Sequence, residues 1–141
     1  MKLWMAIGGA CVLFFAGTQA GLADDSLYRA LGGKHNIVRF SAEFVDIAVR
    51  DERIKASFAN ASLGRIKHML AAQICALSGG PVIYKGHSMR QAHEKLGLRN
   101  ADFNAGVEDL QTAMDHASVP FYTQNKLLAL LAPMQRDIVT K

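Results

Sequence analysis

Cysteine is nearly absent from this 141-residue chain, which has only Cys11 and Cys75. Two cysteines build no disulfide scaffold, and with no Cys-x-x-Cys pair there is no zinc ribbon or thioredoxin-type centre. Proline is almost as rare at three residues, so few positions force a helix to break. Lys and Arg never stand next to each other, and the net charge of +4 is spread along the chain. A nucleic-acid surface is therefore not expected. Past the extreme N-terminus no apolar run reaches the roughly 18 residues that a membrane span needs, which excludes a multi-spanning protein. Also missing are a Gly-rich phosphate loop, a His-Glu-x-x-His pair and a Gly-x-Ser-x-Gly elbow, so the common nucleotide, zinc and hydrolase signatures fail. What is present is a chain with 50% hydrophobic and 20% charged residues, the balance of a single globular domain with a real core.

Residues 1–23 read as an export signal. Lys2 supplies the positive start, Leu3 to Gly17 is apolar and small, and Thr18-Gln19-Ala20 or Gly21-Leu22-Ala23 offers small-x-small spacing for cleavage. The expected product is a domain of residues 24–141 released into the bacterial periplasm, with no membrane contact after cleavage. The alternative is tethering by an uncleaved anchor, because the stretch is close to the length that crosses about 30 Å of hydrocarbon. Cleavage removes Cys11 and leaves Cys75 without an intramolecular partner even under oxidising conditions.

Beyond Asp24 the apolar residues recur at spacings of three and four, so the domain reads as all-α. Ser26 to Leu31 is a short helix closed by Gly32-Gly33. A longer one from about Asn36 carries Ile37, Phe40, Phe44, Ile47 and Ala48 on one stripe. After a short piece ending at Phe58, Asn60 or Ser62 caps a third helix, with Leu63, Ile66, Leu70, Gln73, Ile74 and Leu77 at inward spacing. Ser78-Gly79-Gly80-Pro81 stops it. A loop leads to Met89, from which two turns of helix reach Leu96 and place Met89, Ala92, His93 and Leu96 on one face. Asn100 caps a helix with the stripe Phe103, Val107, Leu110, Met114 and Ala117. Pro120 then opens a last helix with Leu127, Leu128, Leu131, Met134 and Ile138 inward.

His93 is the one chemically unusual residue on an apolar face. Spacing alone does not separate a metal ligand from a core histidine satisfied by a carbonyl. Its surroundings add information. Phe44, then Phe58, then Gly79-Gly80-Pro81 and the string Tyr84-Lys85-Gly86-His87-Ser88-Met89-Arg90-Gln91-Ala92-His93 stand in a definite order. Together with Leu27-Tyr28 before Leu31-Gly32-Gly33, and with Val119-Pro120 before Ala132-Pro133, they resemble the truncated haemoglobins of the first group. The resemblance runs from Ser26 to Val139.

It implies a truncated globin-like two-over-two helical sandwich around haem b, with His93 as the proximal iron ligand, orientated through its second ring nitrogen. It further implies that Phe58 packs on the porphyrin and that Phe44, Val45, Ile66, Met69, Leu70 and Met89 belong to the haem environment. Gly79, Gly80 and Gly86 let the loop cross the haem edge. Tyr84, Arg90, Arg65 and Lys67 are candidates to meet the propionates.

The distal side departs from the family. Val45 follows Phe44 where oxygen-holding members place Tyr, and Ile66 and Leu70 occupy the inward positions where they place Gln or another donor. Such a pocket stabilises bound oxygen less, while CO and NO lose less. Gln73, one turn on along the same inward stripe, reads as a helix flank, as a remote donor or as lining of a ligand passage. Met69 aligns with a position that supplies an internal sixth ligand in some members, and the alternative is apolar filling. His68 lies about 200° around the helix from Ile66 and should point away. His35, His87 and His116 read as surface residues and Cys75 as a small buried hydrophobe.

The function implied is reversible binding of a diatomic gas (oxygen, NO or CO) by a monomer. Its enzymatic variant is an NO dioxygenase-type activity fed by an unidentified reductase. The competing function is a redox or electron-transfer haem protein with Met69 as sixth ligand.

Overall fold

The computed structural model describes residues 24–141, so the segment read as an export signal and Cys11 lie outside the described residues. Helix α1, Ser26–Ala30, turns through Leu31 and Gly32 into α2, Gly33–Ala48. A 3₁₀ turn, Lys55–Phe58, leads to α3, Leu63–Leu77. The loop that follows carries the short α4, Met89–His93, and then come α5, Asn100–His116, and α6, Phe121–Leu131. A second 3₁₀ turn, Ala132–Met134, separates α6 from α7, Gln135–Ile138. Among the described residues there is no strand, only one isolated bridge pairing Leu98 with Val139 in parallel.

The architecture is all-α as the periodicity predicts, and it is the two-over-two helical sandwich that the resemblance implies. Helix α2 packs along α3 and across α5, and α6 closes on α5 from the far side. The stripes meet in one core, where Leu31, Ile37, Phe40, Ile74, Met114 and Leu127 are fully buried. Excluding side chains of this size from water stabilises the fold by about 1.5–3 kcal/mol each.

The boundaries differ from the sequence reading in five places. Helix α2 starts at Gly33, because Gly32 adopts φ 93° and a Cβ there would lie 2.7 Å from that of Asn36. The Asn36 amide instead donates to the Leu31 carbonyl at 2.8 Å, fixing the turn. Helix α4 stops at His93, three residues short of Leu96. Helix α5 begins at Asn100, with the Asp102 carboxylate accepting the Arg99 N–H at 2.9 Å, so Asn100 is the first helical residue and not the cap. Pro120 is likewise the residue before α6, and Pro133 breaks the last helix into two, since a ring nitrogen donates no hydrogen bond.

One buried carboxyl marks the corner between α2 and α5. Arg53 binds Asp51 through Nε and Nη2 and reaches Glu108 at 2.6 Å, which holds the Asp51 carboxyl down at about 2. Asp109, 6% exposed, is pushed up to about 6 by burial and then by the charge of Asp51. A carboxyl whose folded value exceeds its ordinary 3.8 favours folding while protonated, and that contribution is lost as pH rises through 6. Urea unfolding is therefore expected to show Asp109→Asn gaining stability over the parent between pH 4 and pH 7. A difference that stays constant over that range would show that Asp109 does not titrate there.

Candidate cofactor pocket

A cavity of about 460 Å³ opens between α3, α4, α5 and the end of the chain. Its wall is mostly apolar. Phe44 comes from α2, Phe58 from the first 3₁₀ turn, Ile66 and Leu70 from α3, and Phe103 and Val107 from α5. A cavity of this size and lining suits a small, flat, mainly apolar ligand fixed by few polar groups.

His93 is one of the polar groups on the wall, with Gln73, Ser57 and Asp102. Its Nδ1 stands 2.7 Å from the Met89 carbonyl oxygen. A carbonyl only accepts, so Nδ1 carries the proton, and Nε2 keeps a lone pair free for a metal. This geometry comes from the sequence locally. Ser88 Oγ accepts the Gln91 N–H at 3.2 Å while Gln91 Oε1 accepts the Ser88 N–H at 3.0 Å, a capping box that starts a five-residue helix. One turn later the backbone of Met89 meets the ring of His93.

Of the residues expected at the site, Phe44, Phe58, Ile66, Met69, Leu70, Tyr84, Met89 and His93 line this cavity, and so does Arg65. Val45 and Arg90 do not. Val45 is fully buried, but one residue past Phe44 it stands about 100° further around α2 and leaves the wall to Phe44. Arg90 turns outward to Asp137 on α7, with Nη2 to Oδ1 at 3.1 Å, and so ties α4 to the end of the chain. Lys67 is similarly engaged with Asp46 at 2.6 Å.

Two further residues are on the wall. His87, expected at the surface, is exposed but lines the mouth beside Tyr84, whose hydroxyl donates to the His87 carbonyl at 2.7 Å. Gln73 is buried in the wall and not on a flank. Its amide nitrogen lies 3.4 Å from the Met89 sulfur and 3.8 Å from that of Met134, both weak acceptors. Its 3-4 spacing with Ile66 and Leu70 was the available signal. Leu98, Met134 and Ile138 also contribute, brought there by the break at Pro133 and the Leu98–Val139 bridge.

The donor chemistry fits haem. The mostly apolar cavity could take the macrocycle, His93 Nε2 could ligate an iron, and Arg65, His87 and Tyr84 on the lining could meet carboxylates.

Comparison with known proteins agrees with this geometry. Residues 26–140 match the bacterial-like globin family. The group 1 truncated haemoglobin of Tetrahymena pyriformis is 27% identical over 116 residues, which is 82% of this chain and 96% of that protein. Its counterpart from Synechocystis is 31% identical over 99 residues, covering 67% of this chain and 80% of the relative. The crystal structure of the Tetrahymena pyriformis protein in its Fe(III) form superposes with a TM-score of 0.78, covering 82% of this chain and 98% of that one. The chain belongs to the bacterial-like globin family, in its group I truncated, two-over-two branch.

Proposed function

We propose that this protein is a haem b globin that reversibly binds a diatomic gas, with His93 as the proximal ligand. The observation that carries the reading is the Nδ1 bond from His93 to Met89, which leaves Nε2 free inside an apolar cavity. Haem supplies an iron centre able to bind oxygen, NO or CO. The protein's own part is to anchor that iron from one side, exclude water with Phe44, Phe58 and Leu70, and hold the haem carboxylates at the mouth through Arg65 and His87. With Ile66 and Leu70 on the wall, the pocket offers a bound gas few hydrogen bonds, which favours CO and NO over oxygen.

Absorption spectra of the purified domain in ferric, ferrous and CO-treated forms test the proposal. A broad ferrous spectrum that sharpens with CO is expected. No response to CO would overturn gas binding, and no Soret band after reconstitution would overturn haem binding.

Met69 carries the second reading, since it lines the same wall. Split low-spin visible bands without added ligand, abolished by Met69→Ala, would make Met69 the sixth ligand and the protein a redox carrier. Residues 1–23 support export to the periplasm, where turnover of NO with oxygen would need a separate reductase.

A further inference from the structure

A second cleft, of about 250 Å³, opens on the outer side of α3, between the start of α2 and the loop that follows α3. Val38, Ala72, Val82 and Ile83 give it an apolar lining. Ile83 is 81% exposed and Val38 46% exposed, so large aliphatic side chains face water at its mouth. Three basic side chains, Lys34, His68 and Lys85, complete the lining, and it contains no carboxylate. Among the described residues none of the three takes part in an ion pair, whereas Lys55, Lys67, Arg53 and Arg90 all do. Cys75 also borders the cleft, but it is buried and burial pushes its thiol up. The cleft therefore offers no nucleophile, and its chemistry is non-covalent.

We infer that this cleft is a binding site for a small amphipathic carboxylate, a straight-chain fatty acid of roughly six to eight carbons. The cationic rim matches a single carboxylate and the aliphatic lining matches a short tail. The size follows from comparison with engineered apolar cavities, in which about 150 Å³ admits a benzene ring. The aliphatic lining beside the two lysines and the imidazole favours a carboxylate with an apolar tail over a bare phosphate, which would leave that lining uncovered. Met69 belongs to the wall of this cleft and also to that of the larger cavity, so the two spaces share a lining residue.

Calorimetric titration of the haem-loaded protein with octanoate at low salt tests the site, with the Soret band followed in parallel. One binding event is expected with the Soret band retained. Affinity should fall at least fivefold in Lys34→Ala/Lys85→Ala and fall again on raising the salt, because exposed charge pairs are screened. Octanol should bind more weakly than octanoate, and Ala72→Trp should abolish binding by filling the cleft. Absence of binding overturns the inference, as does affinity unchanged in the double lysine variant. Loss of the Soret band on titration would place the acid in the larger cavity and overturn it as well. The lysines are exposed, so the double variant folds as the parent does.

Discussion

Replacing His93 with Gly is expected to strip the protein of its normal haem spectrum and to lower haem retention by more than tenfold. Loss of groups that merely orient a metal ligand costs about 10–100-fold in metal affinity, and here the ligand itself is removed. The expectation rests on geometry: His93 is the one imidazole inside the wall with a ring nitrogen left free. His87 stands at the mouth with an exposed side chain. Added imidazole should restore the spectrum by occupying the space vacated by the ring. The fold itself should be little affected, because His93 sits on a five-residue helix at the edge of the molecule and its residue is only half-buried. The measurement is a ferrous spectrum of the variant with and without imidazole. A spectrum identical to the parent's in both conditions would remove His93 from the proximal role and leave the cavity without an iron anchor.

Phe40→Ala should be the most destabilising single change in the core. Phe40 is fully buried on α2 among Ile37, Ile74, Leu110 and Met114, where α2 meets both α3 and α5. Truncating a phenylalanine in such a site costs about 3–5 kcal/mol, from lost transfer energy and from the cavity left behind. For a domain whose whole stability is on the order of 5–15 kcal/mol, that is a large fraction. Urea unfolding of the haem-free protein reads it directly, as a fall in midpoint at unchanged slope. A loss below about 1 kcal/mol would mean that the helices meet through a loosely packed surface that collapses around the smaller residue.

Periodicity found the four long helices because each presents a stripe to a common core, in which Ile37, Phe40, Ile74, Leu110, Met114 and Leu127 are buried; it missed Val45, Ala71 and Ala113, which are buried beside the stripes. It misjudged ends. Caps depend on which backbone group a side chain reaches, and Asn36, Asp102 and Pro133 act through contacts that three- and four-residue spacing does not encode. Most of the cavity wall was legible for the same reason as the core, being made of inward positions on α2, α3 and α5. His87 and Leu98 were not, since both lie in segments without helical period and reach the wall through the path of a loop. Arg90 was assigned to the mouth because a cation near a carboxylate-bearing ligand is chemically reasonable. Nothing in the sequence shows that Asp137, 47 residues away, is its partner. Val45 illustrates the angular limit of such reasoning, since adjacent residues on a helix face different surroundings.

The brevity of α4 bears on how the protein assembles. Five residues are too few to form a helix in isolation, because nucleation alone costs more than one turn of hydrogen bonds returns. Helix α4 exists because the Ser88–Gln91 box starts it, Arg90 clasps Asp137 and α7 lies against it. The histidine that faces the cavity is thus presented by a segment whose order is borrowed from the last residues of the chain. Occupancy of the cavity and closure of the C-terminal end are therefore thermodynamically linked: a ligand held by His93 strengthens the grip on α7, and loosening α7 weakens the grip on that ligand. Helices α2, α3 and α5 supply much of the rest of the cavity wall, so the framework they form among themselves is the fixed side against which α4 and α7 close.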